Sequence, residues 1–210
     1  MNKKTSDKIV NILTKLYADA SPDLNFTGLY QLLISVTLSA RTTDRQVNSV
    51  TGELFSRYSD FEKLAKAGLE DVERIIRPVG FYKTKAANII NLSRIVTEKF
   101  NGNVPQTMEE LTTLPGVGRK TSNVVLSVGF GKPAFAVDTH VTRISNRLGY
   151  IDSADPLEVE KAVTALVNED QWGALHLSMI KHGRTVCRAA KPACSICGLR
   201  ALCRHYRNSV

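Results

Sequence analysis

The residues best suited to chemistry lie near the C-terminus. Cys187, Cys194, Cys197 and Cys203 are the only cysteines, with six, two and five residues between successive members. Four within seventeen positions, and none elsewhere, is not a scatter of small core residues. The N-terminus Met1-Asn2-Lys3-Lys4 has a basic start but no apolar core behind it, so the expected location is cytoplasmic and the thiols are expected to stay reduced. A disulfide pair remains an alternative, but metal ligation accounts better for the grouping. Structural zinc usually takes two close pairs, and here only Cys194 and Cys197 form one. An iron–sulfur cluster is larger and accepts wider, uneven loops, so the spacing favours iron without deciding the matter.

A second segment, Leu114-Pro115-Gly116-Val117-Gly118-Arg119-Lys120-Thr121, has a different chemistry. Pro115 discourages a continuing helix, and the glycines permit positive φ and close approach of another backbone. A helix starting near Gly118 would direct free N–H groups and the positive end of its dipole out of the turn. Such a helix end binds anions, and a DNA phosphate is a natural guest. A plain helix–helix connector would use the same residues.

Charge bears on the choice. The chain carries 28 Lys and Arg against 20 Asp and Glu, and the last forty residues hold +7 of the net +8 with no acidic residue. A one-ended excess of this kind calls for a polyanion, an anionic membrane or a binding partner, and nucleic acid is the reading favoured here. No apolar run approaches the ~20 residues of a membrane span, and 43% apolar content across 210 residues is ordinary for a folded globular chain.

The elements that must position these residues read as helices. Ile9, Ile12, Leu13, Leu16 and Tyr17 form a stripe at helical spacing. Residues 26–38 are apolar almost all round, as in a helix buried on every side. Further helices are expected over 43–58, 85–100, 118–128, 138–148, 155–167 and 171–186, with no period-two strand of useful length. The fold class is all-α. A short internal echo relates Lys85-Ala86-Ala87-Asn88 to Lys120-Thr121-Ser122-Asn123, each following a glycine-bearing turn.

Taken in series, the hairpin segment 114–121, Ala136-Val137-Asp138-Thr139-His140 and the four-cysteine pattern resemble the endonuclease III family. These are DNA glycosylase/AP lyases of the helix–hairpin–helix superfamily, and the resemblance runs the length of the chain. It implies two helical lobes, a barrel lobe over 22–132 carrying the hairpin and a second built from 1–21 plus 133–210. It implies a [4Fe-4S] cluster on Cys187, Cys194, Cys197 and Cys203. It also implies duplex DNA lying across a cleft, with a damaged pyrimidine flipped out between Lys120 and Asp138. A monomer is expected separately, since no long amphipathic surface helix is left without a core to join.

Within that resemblance Lys120 corresponds to the nucleophilic lysine and Asp138 to the essential aspartate. The helix dipole disfavours an ammonium at Lys120 and so favours a reactive amine. Asp138 can stabilise developing oxocarbenium charge or assist proton transfer. On residue chemistry alone, Lys120 would equally suit a phosphate contact and Asp138 an N-cap. The expected DNA contacts are Gly116, Val117, Gly118 and Arg119 in the hairpin, and Arg184, Arg188 and Lys191 around the first two cysteines. Arg41 and Phe81 fall where the family usually has a glutamine and a leucine that fill the gap left by the flipped base. Thr112 stands where related enzymes often have a glutamate. Lesion range and opposite-base preference are therefore open, and His140, His176, His182 and His205 have no assigned role. The rival readings are a monofunctional mismatch glycosylase of the same superfamily and a non-catalytic, metal-bound damage sensor.

Overall fold

Helical periodicity dominates the sequence, and the computed structural model, which describes residues 1–208, is helical throughout with no strand among the described residues. The chain divides into two units, one of residues 22–130 and one of 1–21 with 131–210.

The first of these is built on α2 (Leu29–Leu38), in which all seven residues from Leu32 to Leu38 are buried. Of its two hydroxyl residues there, Thr37 Oγ1 donates to the Leu33 carbonyl at 2.7 Å, whereas Ser35 Oγ is buried without a hydrogen-bond partner among the described residues. The helix starts three residues later than expected, since the Thr27 amide turns onto Gln31 Oε1 at 2.9 Å and Gly28 becomes the cap. Around it lie α3 (Asp44–Arg57), α4 (Phe61–Ala65), α5 (Leu69–Ile75), α6 (Tyr82–Phe100), α7 (Met108–Thr112) and α8 (Arg119–Val124). Phe81, in the left-handed region at φ 58°, is the N-cap of α6 and starts that helix earlier than its apolar stripe suggests.

The expected helix over 118–128 is α8 followed by a π-helical turn, Val125–Gly129. The widened turn brings Gly129 so near α2 that a Cβ there would lie 2.7 Å from Leu29 Cδ2. A larger residue there would have to displace the ends of the Leu29 and Leu32 side chains.

The second unit packs α1 (Lys3–Leu16), α9 (Thr139–Leu148), α10 (Pro156–Thr164) and α11 (Trp172–Thr185) around one core. Ile9, Leu13, Val141, Ile144, Val163 and Met179 belong to it, and Cys187, Cys197 and Cys203 pack against its edge. Each fully buried Leu or Ile of such a core contributes about 1.5–3 kcal/mol relative to exposure. A short helix, α12 (Arg204–Arg207), follows the last cysteine.

Candidate active site and metal centre

The hairpin is assembled from local rules. Thr107 caps α7, accepting from the Glu110 amide at 3.2 Å while its hydroxyl meets Glu110 Oε2 at 2.9 Å. Leu114 to Val117 then form a turn closed by the Val117 amide on the Leu114 carbonyl at 3.1 Å. Pro115 occupies the second position and Gly116, at φ 79°, the third, the arrangement a type II turn demands. A Cβ on Gly116 would lie 2.9 Å from Asn88 Nδ2 and 3.1 Å from Thr37 Cγ2. Gly118 caps α8 without a side-chain bond, so the first-turn amides of that helix face outward. Gly116, Gly118, Arg119 and Lys120 are exposed, whereas Val117 is buried and anchors the turn.

Lys120 is the second residue of α8. Its counterpart in the internal echo, Lys85, is buried, so the two lysines share a local pattern but not an environment. Thr112 is exposed, and its hydroxyl donates to the carbonyls of Met108 and Glu109 at 2.9 and 3.1 Å. It is tied to its own helix and supplies no acid–base group.

Asp138 is half-buried in the other unit, at the head of α9. Its Oδ1 accepts from the amides of His140 and Val141 at 2.8 and 2.9 Å. The N-cap geometry anticipated as an alternative is therefore present. Both bonds use one oxygen, so Oδ2 is the oxygen available to anything outside the helix. His140 receives the Arg143 guanidinium at Nδ1, 3.0 Å away.

Arg41 and Phe81 lie on separate loops of the α2–α8 unit, both exposed and both at positive φ, 55° and 58°. The guanidinium carbon of Arg41 is 6.0 Å from the Phe81 ring centroid, at the outer reach of a cation–π contact. Phe81 is 63% exposed, so core packing does not account for it. Beside the pair is a pocket with ≈ 630 Å³ of atom-free space, also lined by Thr84, Lys85, Asn88 and Gly116.

All four cysteines line one small pocket, walled by Ile144, Leu148, Val186 and Leu199. Burial raises the Cys197 thiol above its ordinary pKa, the Leu199 amide lowers it, and proximity to Cys187, Cys203 and Cys194 raises it further. Among the described residues, no three His, Cys, Asp or Glu side chains are placed to hold a single metal ion.

Sequence reasoning missed the residues that shape this loop. Arg143 Nε donates to the Cys187 carbonyl at 3.1 Å and Arg143 Nη2 to the Gly183 carbonyl at 3.0 Å. Arg147 donates to Cys187 Sγ at 3.3 Å, to the Arg188 carbonyl at 2.8 Å and to the Ala189 carbonyl at 2.9 Å. Their i,i+4 spacing on α9 was the available signal. His182, unassigned from sequence, sits with Nδ1 2.9 Å from the Tyr17 hydroxyl and Nε2 3.7 Å from Cys197 Sγ. Burial lowers its pKa to about 4. Arg184, Arg188 and Lys191 are all exposed.

Comparison with known proteins agrees with this geometry. The model of the HhH-GPD superfamily base excision DNA repair proteins matches residues 34–169. Endonuclease III of Thermotoga maritima is 48% identical over 86% of this chain and 85% of its own length. That of Bacillus subtilis is 42% identical over 97% and 94%. A solved trapped endonuclease III–DNA covalent intermediate superposes with a TM-score of 0.93 at 42% identity, covering 100% of this chain and 99% of that one. A thermostable thymine-DNA glycosylase reaches 0.89 at 25% identity, covering 98% of each chain. The chain belongs to the HhH-GPD superfamily of base excision DNA repair proteins and, within it, to the endonuclease III family.

Proposed function

We propose that this base excision repair enzyme removes oxidised pyrimidines from duplex DNA with Lys120 as the nucleophile and Asp138 as the anion that supports glycosidic bond cleavage. The observation that carries the reading is Lys120 standing exposed in the first turn of α8, directly after the type II turn. The similar endonuclease III trapped as a covalent DNA intermediate supports it.

The Lys120 amine attacks C1′ of the flipped nucleotide, the N-glycosidic bond breaks, and the base departs with a proton. The C1′–O4′ bond then opens, O4′ taking the remaining amine proton, and the imine so formed acidifies the C2′ hydrogen; its loss as a proton to water expels the 3′ phosphate by β-elimination. Asp138 holds α9 through Oδ1 and offers Oδ2 to the positive charge that develops on the sugar. The hairpin amides and Arg119 take phosphate, while Arg184, Arg188 and Lys191 add sequence-independent attraction. Arg41 and Phe81 fill the gap in the stack.

Cys187, Cys194, Cys197 and Cys203 would hold a [4Fe-4S] cluster, whose four irons take one thiolate each from the four cysteines that line this one pocket. Ligation at Cys187 and Cys194 would pin the loop that carries Arg188 and Lys191 between them. Among the described residues no helix is long and apolar enough to cross a membrane.

The test is a duplex carrying thymine glycol. Base release together with a 3′ unsaturated aldehyde end, and loss of strand cleavage in Lys120→Ala, are the expected results. Base release without cleavage by the wild type would transfer the assignment to a monofunctional glycosylase.

A further inference from the structure

Lys85 is 6% exposed, in a position where burying an ammonium is costly. Its Nζ donates to the Leu38 carbonyl at 2.8 Å, the Ala40 carbonyl at 2.6 Å and Thr42 Oγ1 at 2.8 Å. An ammonium has three donors, and all three are used. None goes to a carboxylate, so charge pairing is not the reason for its burial. Burial pushes its pKa below the ordinary lysine value.

The acceptors locate the purpose. Leu38 is the last residue of α2, where unpaired carbonyls and the negative end of the helix dipole meet a cation favourably. Ala40 and Thr42 flank Arg41, which the loop holds in the left-handed region that a side chain rarely adopts unsupported. The other end of the same residue closes the other loop, since the Lys85 amide donates to the Phe81 carbonyl at 3.0 Å. One residue thus grips the Arg41 loop with its side chain and the Phe81 turn with its backbone.

We propose that Lys85 is a positioning residue for lesion recognition: it locks Arg41 and Phe81 into one rigid pair, and through that pair sets base flipping and opposite-base discrimination. This rests on the reading of Arg41 and Phe81 as the gap-filling residues. A lysine serving packing alone would direct its ammonium to solvent along an apolar wall. Here its ammonium ties the end of α2 and the Arg41 loop to the start of α6, and both strained residues sit beside it.

The test compares wild type with Lys85→Met, which keeps the length of the stem and removes the donors, and with Thr42→Val, which removes one acceptor and leaves Lys85 in place. Three readouts are taken: excision of thymine glycol opposite adenine and opposite guanine, β-elimination on a preformed abasic duplex, and amide hydrogen exchange over 39–43. The expected result for Lys85→Met is faster exchange in that loop and a fall in excision of about tenfold or more. The difference between opposite bases should shrink, and abasic-site cleavage should stay within about threefold of wild type. Thr42→Val should move the same readouts in the same direction by less, and it carries the test if Lys85→Met does not fold. Equal losses on lesion and abasic duplexes would overturn the proposal, since a merely structural residue would act so. Unchanged excision with a loosened loop would overturn it as well. Arg41→Ala and Phe81→Ala separate the two layers: if they leave excision unchanged, the gap-filling reading fails and this assignment with it. If they act while Lys85→Met does not, only the assignment to Lys85 falls.

Discussion

Asp138 caps α9 and is proposed to serve catalysis as well, and two substitutions separate the two tasks. Its Oδ1 accepts two amide bonds, at 2.8 and 2.9 Å, at the head of the ten-residue helix α9. Asp138→Ala removes both bonds and should cost about 1–2 kcal/mol. For a chain of this size that corresponds to a drop of roughly 2–8 °C in Tm. Asp138→Asn keeps a carbonyl oxygen in the same place, and Asn caps helices about as well as Asp, so its cost should stay within about 0.5 kcal/mol. The two variants should nevertheless be similarly impaired in excision, because both lose the negative charge. Losing one preorganised electrostatic contact to a transition state typically costs about 2.7–4 kcal/mol in barrier, or about 10²–10³ in rate. Thermal unfolding by circular dichroism paired with single-turnover excision reads both effects. An Asp138→Asn enzyme with native melting and a rate within about threefold of wild type would refute the catalytic half of the argument. An Asp138→Asn enzyme as unstable as Asp138→Ala would refute the capping half.

Gly116→Ala should lower stability by about 1 kcal/mol or more and weaken DNA binding, because φ 79° and the 2.9 Å approach of Asn88 both oppose a Cβ. Melting and fluorescence anisotropy would check it. Lys191→Ala should weaken binding to all duplexes alike and flatten the slope of log affinity against log salt by about 0.9; an unchanged slope would remove Lys191 from the phosphate contacts. Arg147→Ala removes the donor to the carbonyls of Arg188 and Ala189 and to the Cys187 sulfur; with both carbonyls free to turn to water, the loss should be about 0.5–1.5 kcal/mol. Faster bleaching in air of the visible absorbance of the proposed iron–sulfur cluster is the expected sign.

Much of the fold follows from periodicity. The long helices were legible because each carries a stripe or an all-apolar run, as α2 does from Leu32 to Leu38. The helices α4, α5, α7 and α12 span four to seven residues, too short for a stripe to emerge from background. The π turn after Val124 was invisible for another reason: its widening answers the approach of Gly129 to Leu29, a contact made only after folding. In the candidate site, motif-bearing residues were legible and their supports were not. Lys120, Asp138 and the cysteines lie in short runs with distinctive spacing. Lys85, Arg143 and Arg147 act by donating to backbone carbonyls, which belong to every residue and leave no compositional trace. Tyr17 and His182 meet across 165 positions, a pairing that no local pattern encodes.

The most direct test of the central claim is borohydride trapping on a thymine glycol duplex, wild type beside Lys120→Ala, with peptide mapping of the adduct. The account predicts a covalent protein–DNA adduct for wild type, mapped to Lys120, and none for the variant, although the variant keeps its fold and its DNA affinity. An adduct of equal yield in Lys120→Ala, or no adduct from a wild-type enzyme that binds the duplex tightly, would contradict it.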